Sequence, residues 1–254
     1  MQNNSEKKTY KLIACEVLFR EVCSHAATSN NVIDITFVRK GLHDIGAEKM
    51  SKALQQEIDA VNSEDFDAIL LCYGLCSNGV TDLHADIPIV IPRAHDCITL
   101  FLGSKERYRK YFDENPGTYF KSPGWVERGN WSEDAEDSIT SQLGLKRTYE
   151  EYVELYGEED AQFIFETLGG WEESYKKVAF INTGLGNIES YRNVSTREAE
   201  ENNWEYEEVE GDTRLIGKLL NGEWDENEFL VIPKGNTIHP SSDENIVKCV
   251  ARVL

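Results

Sequence analysis

The chain has 254 residues, of which 40% are hydrophobic and 28% are charged, a composition typical of an ordinary globular protein. Its net charge of −20 argues against nucleic acid or an anionic membrane as a partner, because phosphate binding needs clustered lysine and arginine. No run of 18 apolar residues and no apolar signal core at the N-terminus occurs, so we expect a cytoplasmic protein without a transmembrane helix.

Strand and helix patterns alternate along the first part of the chain. Short apolar or β-branched runs predict strands, and the helical spacing of Met50, Leu54 and Ile58 predicts a helix over 46–63. A further helix is predicted over 98–115, where Pro116-Gly117 would end it. The predicted strands of this part are 10–18, 32–38, 66–74 and 87–92, and 19–29 is predicted to begin a helix.

The middle of the chain has a different composition. Residues 116–131 are rich in aromatic residues, glycine and proline, and they predict a loop with one short strand. Gly117 and Gly124 with nearby aromatic rings make 117–127 a candidate lid, although a packed loop is the alternative. Acidic helices are predicted at 133–155 and 158–168, so that 127–173 would form a helical insertion.

The alternation resumes after the insertion, and it predicts an α/β fold with a mostly parallel sheet and flanking helices. "IPIVIPRAHDCI" (87–98) is similar to "EFLVIPKGNTIH" (228–239), which suggests two similar halves, 1–126 and 174–254, within a single domain 1–254. The elements predicted here are strands at 177–184, 204–211 (an edge strand) and from 228, helices at 187–203 and 213–222, and a final helix that closes the chain.

Three predicted strands each deliver a cysteine at or just beyond their carboxyl end: Cys15, Cys76 and Cys97. Ligands of open α/β sheets bind outside the carboxyl ends of the strands, so these thiols would converge on one crevice. Cys72 lies within an apolar run and is interpreted as a core residue.

Three thiolates suit a metal centre that keeps one position open. A [4Fe–4S] cluster with three cysteine ligands would leave one iron free to bind substrate, and zinc with three protein ligands and water is the alternative. Reactive thiols and plain core cysteines are the remaining interpretations of the same residues.

The loop "YGLCSNG" is a candidate substrate-binding loop, although a simple strand-to-helix turn is the alternative. Gly74 would let a ligand approach closely, and Ser77 and Asn78 could donate to an anion or cap a helix. Arg93 would bind a carboxylate or phosphate, unless it pairs with a nearby acid, and Trp125 would contribute from the lid.

Proton transfer has three candidate residues. His95 and Asp96 lie directly before Cys97, where a general acid or base could act; the alternative for His95 is a satisfied polar residue. Glu16 follows Cys15 and could act as a base or an additional ligand, or simply as a carboxylate that the dipole of a helix N-terminus favours.

The chain resembles the domain-of-unknown-function family one-six-three-eight of methanogens and anaerobic bacteria. The stretches that carry the resemblance are "LIACEVLFRE", "GLHD", "LLCYGLCSNGV" and "VIPRAHDCITLFLGSKERYRKYFDENPGTYFKSPGWVE". The family's pattern coincides with Cys15, Cys76, His95, Asp96 and Cys97. Family members often lie beside corrinoid-dependent methyltransferases, so the resemblance implies anaerobic one-carbon metabolism as the setting and leaves the reaction open.

The leading hypothesis is therefore a metal-dependent enzyme, with a [4Fe–4S] cluster, that acts on a small anionic or polar substrate. A second hypothesis is a non-catalytic accessory protein for a corrinoid protein, a metal or a methyltransferase, with the acidic segment 133–173 as its docking surface. A third is a zinc-dependent methyltransferase, in which thiolate-bound zinc activates a substrate thiol.

Overall fold

The computed structural model describes residues 7–40, 46–128, 153–154, 157–158 and 175–252. Its strands are β1 (Thr9–Cys15), β2 (Val32–Val38), β3 (Ala68–Cys72), β4 (Ile89–Pro92), β5 (Thr118–Lys121), β6 (Lys177–Asn182), β7 (Glu205–Glu210), β8 (Phe229–Ile232), β9 (Asn236–Pro240) and β10 (Val247–Ala251). Its helices are α1 (Phe19–Thr28), α2 (Ala47–Asp59), α3 (Cys97–Leu102), α4 (Lys105–Glu114), α5 (Pro123–Glu127), α6 (Ile188–Glu201) and α7 (Arg214–Asn221), and a 3₁₀ turn covers Glu16–Leu18.

The larger sheet has five strands in the order β2-β1-β3-β4-β8, and its first four strands are parallel. β3, with the sequence AILLC, is buried along its whole length, as expected for a central strand covered on both faces. α7 packs against α1, β3 and β4, and it buries an apolar face that includes Leu215, Ile216 and Leu219. The predicted α/β class with a mostly parallel sheet and flanking helices is confirmed.

A second sheet of three parallel strands, β5-β6-β7, carries α6 against β6 and β7. β5 precedes the proposed insertion, whereas β6 and β7 follow it. In the larger sheet, four strands precede the insertion, and only β8 follows it. Strands from the two proposed halves are thus mixed in both sheets.

The two similar sequence stretches form neighbouring strands. β4 and β8 pair antiparallel, with Ile89 opposite Ile232 and Pro92 opposite Phe229. The segments that follow them therefore leave from opposite edges of the sheet. Only the segment after β4 reaches the edge where β1 and β3 end, so only one copy of the shared pattern can contribute to a site there.

Two predicted helices are wrong in detail. The helix over 98–115 is divided into α3 and α4, because Gly103 adopts a left-handed conformation (φ 81°) and the Ser104 side chain caps α4 by accepting from Arg107 N at 3.0 Å. The helix expected at the C-terminus is instead the hairpin β9–β10, in which Cys249 lies opposite Ile238. Its second strand, "VKCVA", is rich in the β-branched residues that favour strands.

The described part of the segment 116–131, residues 116–128, is more ordered than a loop. Its first part forms β5, in agreement with the one short strand predicted there, and its second part forms α5. The acidic helices predicted at 133–155 and 158–168 fall almost entirely outside the described residues. Within the described ranges, no helix is long and apolar enough to cross a membrane.

Candidate functional site

Cys15, Cys76 and Cys97 line one small chamber at the carboxyl edge of the larger sheet, with a volume of about 30 Å³. Cys15 ends β1, Cys76 lies in the loop after β3, and Cys97 begins α3 just after β4. The convergence that the strand-end rule predicts is thus present in the structure, because β1, β3 and β4 are neighbours. The other residues of the chamber wall are Arg39, Lys40, Met50, Cys72, Tyr73 and Trp125.

Two backbone hydrogen bonds tie the loop after β3 to the loop after β4. Leu75 N donates to Ala94 O and Cys76 N donates to His95 O, each at 2.8 Å. Gly74 allows this approach, because a Cβ there would lie 2.5 Å from Asp96 N. Gly74 is buried, and the structure gives it a packing role between the two loops; contact with a substrate stays a prediction.

The loop after β3 is strained at the cysteine. Cys76, Ser77 and Asn78 all adopt left-handed backbone conformations, with φ of 46°, 54° and 71°. Each such non-glycine residue costs about 1 kcal/mol, so the surrounding contacts must hold the turn in place. Ser77 and Asn78 are exposed and do not line the chamber, whereas Cys76 does. The strained turn therefore points one thiol inward and two polar side chains toward solvent.

Trp125 forms one wall of the chamber from α5. The Ser122 side chain caps this helix by accepting from Trp125 N at 3.4 Å. A Cβ at Gly124 would overlap the Val17 carbonyl, so the helix lies directly on the backbone of the 3₁₀ turn. The indole ring lies 4.8 Å beneath the ammonium of Lys40. The candidate lid is thus a strand and a short helix packed into the fold.

Burial raises the pKa of all the chamber thiols. The pKa of Cys15 rises to about 11 and that of Cys76 to about 12, mainly by desolvation, with Lys40 lowering the former and Asp96 raising the latter. The pKa of Cys97 also lies well above its ordinary value because of burial, and the nearby Asp96 adds to this rise. In the absence of a bound cation, these thiols are protonated at neutral pH.

The structure adds four residues that the sequence interpretation did not place at the site: Arg39, Lys40, Tyr73 and Met50. Arg39 and Lys40 come directly after β2, a fourth parallel strand, so the strand-end rule itself could have found them. The same rule covers Tyr73, which directly follows β3 and opens the "YGLCSNG" loop, whereas Met50 on α2 carried no such signal. Cys72, interpreted as a core residue, is fully buried and also borders the chamber.

Tyr73 brings an unsatisfied hydroxyl to the chamber. The residue is only 4% exposed, and its hydroxyl has no hydrogen-bond partner among the described residues. Burial raises the pKa of this phenol, and Cys15 and Cys76 are the next causes. A buried donor without a partner costs about 1–3 kcal/mol, so its place beside the thiols indicates a missing acceptor there.

His95, Asp96 and Cys97 are consecutive but face three different environments. His95 is exposed and lines a separate open cavity of about 530 Å³, together with Tyr108 and Phe112. Asp96 caps α3 by accepting from Ile98 N at 3.0 Å, and its other oxygen accepts from the Tyr108 hydroxyl at 3.1 Å. Burial raises the pKa of Asp96. Only Cys97 of the three lines the thiol chamber.

Neither Arg93 nor Glu16 is part of the chamber wall, and both are engaged in other contacts. The Arg93 guanidinium donates to the carbonyl oxygens of Glu226, Asn245 and Val247 at 2.6–3.0 Å. These contacts hold the C-terminal hairpin against β4. The acids considered as pairing partners of Arg93, Asp96 and Glu16, do not form these contacts. Glu16 accepts from Lys40 N at 3.0 Å, with Arg128 at 3.9 Å. Their predicted roles, an anion clamp and a base, have no geometric support here.

The donor set of the chamber fits a thiolate-bound metal centre. Soft thiolate ligands select zinc and iron–sulfur clusters. Within the described residues, no three His, Cys, Asp or Glu side chains lie close enough together to hold one metal ion as they stand. Residues 41–45, which contain the "GLHD" motif directly after Lys40, lie outside the described residues.

Fold and site together define an α/β protein with a buried, thiol-lined chamber at the carboxyl edge of its parallel sheet. The chain belongs to the family described as "Protein of unknown function (DUF1638)", whose model matches residues 37–220. This range contains every residue of the chamber wall except Cys15, which precedes it. No curated protein and no solved structure matches the chain.

Proposed function

We propose that the protein is a metal-dependent enzyme whose [4Fe–4S] cluster is held by Cys15, Cys76 and Cys97 and which acts on a small substrate. The observation that carries the proposal is that three thiols from three separate strand ends line one buried chamber. A core that needed only small apolar side chains would not require a strained turn to place Cys76 there. The orphaned Tyr73 hydroxyl beside them supports an absent, acceptor-bearing group.

The electrostatics favour ligands over reactive thiols. A reactive cysteine needs a lowered pKa and an exposed, electropositive setting. Burial instead raises the pKa of Cys15, Cys76 and Cys97. A metal overcomes that shift, because it binds the thiolate and displaces the proton.

A cluster suits the spacing of the thiols better than one zinc ion does. Zinc would need all three sulfur atoms at about 2.3 Å from a single centre. A [4Fe–4S] cluster binds its cysteines at different irons, so its ligands need not meet at one point. The chamber of about 30 Å³ has room for roughly two water molecules, so cluster loading would have to move Met50 and Trp125.

Two residues of the wall, and two that support the cysteine loops, have a definite task in this proposal. A cluster with three cysteine ligands supplies one iron that can act as a Lewis acid toward substrate. The Tyr73 hydroxyl would donate to a sulfur atom or to the substrate. Trp125 shields the chamber from water. Gly74 holds the two cysteine loops in register, and Asp96 positions Cys97 by capping α3.

Anaerobic purification followed by elemental analysis and absorption spectroscopy tests the proposal. We expect about four irons per chain, loss of the iron in the Cys15, Cys76 and Cys97→Ser triple variant, and retention of it in the matched Cys23 and Cys249→Ser double variant. About one zinc per chain would support the zinc alternative. A protein with neither metal, in which the triple variant keeps full stability, would overturn the proposal.

The wider setting remains a prediction from the family resemblance. Anaerobic one-carbon metabolism, and a corrinoid protein or methyltransferase as partner, would be tested by affinity capture under anaerobic conditions. The proposed docking segment, 133–173, lies almost entirely outside the described residues, so no described contact favours the accessory role over the enzyme.

A further inference from the structure

The open cavity beside His95 has a volume of about 530 Å³, which lies within the range usual for sites that bind small molecules. One of its walls is α4, and the other is the turn 242–246 that leads into β10. The proposed metal centre does not use this cavity. Its lining therefore has to be explained by a ligand of its own or by packing.

α4 presents two aromatic rings and two cations to the cavity. These residues lie at positions i, i+3, i+4 and i+7 and therefore share one face of the helix: Lys105, Tyr108, Arg109 and Phe112. A stripe with this spacing usually packs against a core. Here Phe112 is 53% exposed and Tyr108 is only half-buried, so the rings face the cavity instead.

The rings of the cavity have similar orientations. Those of Tyr108 and Phe112 are stacked at an angle of 20°, with their centroids 6.0 Å apart. The His95 ring continues the row, 5.8 Å from Tyr108 and tilted by 30°. The Tyr108 hydroxyl donates to Asp96 at 3.1 Å, which fixes the middle ring. Faces of this kind are platforms on which a flat conjugated ring stacks.

The opposite wall is held in place by hydrogen bonds, so the cavity is formed before a ligand enters. Ser241 N donates to Ile246 O at 2.8 Å and closes the turn. Arg93 binds carbonyl oxygens on either side of Ile246. The Lys105 ammonium donates to the Glu244 carbonyl oxygen at 3.0 Å and joins α4 to the turn.

The two walls differ in charge. The cations lie on α4 beside the rings: Lys105 binds a neutral carbonyl, and Arg109 forms only an exposed pair with Asp113 at 3.9 Å. On the opposite wall, the Asp243 carboxylate accepts from a hydroxyl and a backbone N–H of its own turn, each at 2.9 Å. A ring that stacks on α4 thus has positive charge next to it. The other acids that line the cavity are exposed: Glu106 and Glu244.

We propose that the open cavity binds a flat aromatic anion, whose ring stacks on Tyr108 and Phe112 and whose charged group lies beside Lys105 and Arg109. The site goes beyond the proposed function, because it needs no metal. It lies next to the proposed centre all the same, since His95 lines the open cavity and Cys97 lines the thiol chamber.

A ligand-observed NMR titration of the purified protein with three matched probes tests this inference. Naphthoate is flat and anionic, naphthamide is its neutral analogue, and cyclohexanecarboxylate is an anion without a flat ring. We expect naphthoate to bind about threefold more tightly than naphthamide, as one exposed ion pair allows. Cyclohexanecarboxylate should bind about tenfold more weakly than naphthoate, because it cannot stack.

Variants of the helix face locate the bound probe. Phe112→Leu and Tyr108→Leu should each weaken naphthoate about tenfold, whereas Tyr108→Phe, which keeps the ring, should not. Phe112 is exposed, so its variant covers the case in which Tyr108→Leu does not fold. Arg109→Met should weaken naphthoate about threefold and leave naphthamide unchanged. The matched controls are Phe19→Leu and Lys52→Met, which change an exposed ring and an exposed cation outside the cavity.

The outcomes separate this inference from the proposed function. Naphthoate that does not bind at millimolar concentration, or whose binding Phe112→Leu and Tyr108→Leu both leave unchanged, would overturn the site. Equal affinities for naphthoate and naphthamide, with no effect of Arg109→Met, would overturn the anionic class of ligand. A protein that binds naphthoate as expected but holds no metal would support this site while contradicting the proposed function.

Discussion

Two cavities lie on either side of the three residues His95, Asp96 and Cys97, and they differ in almost every respect. The thiol chamber is about 30 Å³ and lined by donors and sulfur, whereas the open cavity is about 530 Å³ and lined by acids as well as bases. In the open cavity, His95, Tyr108 and Phe112 form a row of rings with centroids 5.8 Å and 6.0 Å apart. Its acids are Glu106, Asp243 and Glu244.

The comparison shows that volume alone does not decide which cavity is the better candidate for a chemical site. The larger cavity has the volume usual for a small-ligand site, but its charged groups are of mixed sign and most of them are exposed. The smaller cavity combines several cysteine thiols, a strained turn and an unsatisfied hydroxyl. Asp96 lines neither cavity but interacts with residues of both: it accepts from Tyr108 of the open cavity, and its charge raises the pKa of Cys76 and Cys97.

Gly74→Ala should produce the largest stability change, because it separates the two loops that form the chamber. Its Cβ would meet backbone atoms of Asp96 that cannot rotate away, and we expect a loss of about 3 kcal/mol in the free energy of unfolding. The control is Gly184→Ala, where φ is 74° but no atom lies within 4 Å, with a cost of about 1 kcal/mol. Urea unfolding measures both, and equal losses would show that the loops adjust to the added methyl group.

Asp96→Ala should destabilise the segment between the two cavities. The change removes the cap of α3 and the acceptor of the Tyr108 hydroxyl, and we expect a loss of about 2 kcal/mol in unfolding free energy. Tyr108→Phe is the matched control, because it removes only the second contact and should cost about half as much. A loss no larger in Asp96→Ala than in Tyr108→Phe would mean that the cap contributes nothing.

The convergence of the cysteines could be predicted from the sequence because it depends only on strand order. Three apolar strands with a cysteine at or just beyond their carboxyl end, placed side by side and parallel, must bring these ends to one edge. The same rule reaches Arg39 and Lys40 at the end of β2, and applying it to every strand rather than to cysteines alone would have found them.

The direction of individual side chains could not be predicted in the same way. Arg93 leaves β4 beside the site, but the C-terminal hairpin, about 150 residues later, supplies the carbonyl groups that bind it. The second strand of that hairpin was itself predicted as a helix, because a short apolar stretch does not reveal its pairing partner. His95 likewise lies beside Tyr108 of α4, with ring centroids 5.8 Å apart, and the sequence did not reveal the break at Gly103 that makes α4 a separate helix.

Glu21→Gln compares how a buried acid and an exposed acid of the open cavity contribute to stability at different pH. Glu21 is fully buried; one oxygen accepts from the Thr183 hydroxyl at 2.6 Å, and the other has no partner among the described residues. Burial raises the pKa of Glu21 above 4.5, so the folded state holds its proton more tightly than the unfolded state does. Stability from this group is therefore complete below pH 4.5 and is lost as the pH rises through the folded pKa.

Glu21→Gln should accordingly stabilise the protein by about 1 kcal/mol at pH 7 and by nothing at pH 4. The matched exposed variant is Glu106→Gln in the open cavity, which should change stability little at either pH. Thermal unfolding of the three proteins at both pH values gives the comparison. A gain that is the same at pH 4 and pH 7 would assign the effect to packing rather than to charge.

His95→Gln should have the smallest effect, although it lies only two positions from Cys97. The His95 side chain is exposed and belongs to the open cavity, and only its backbone carbonyl, which the variant retains, contacts the chamber loop at Cys76 N. We expect a change below about 0.5 kcal/mol in unfolding free energy and unchanged metal content by elemental analysis, whereas Cys97→Ser should lose metal. Metal loss in His95→Gln would show that the imidazole turns inward when the centre is loaded, and the two cavities would then form one site.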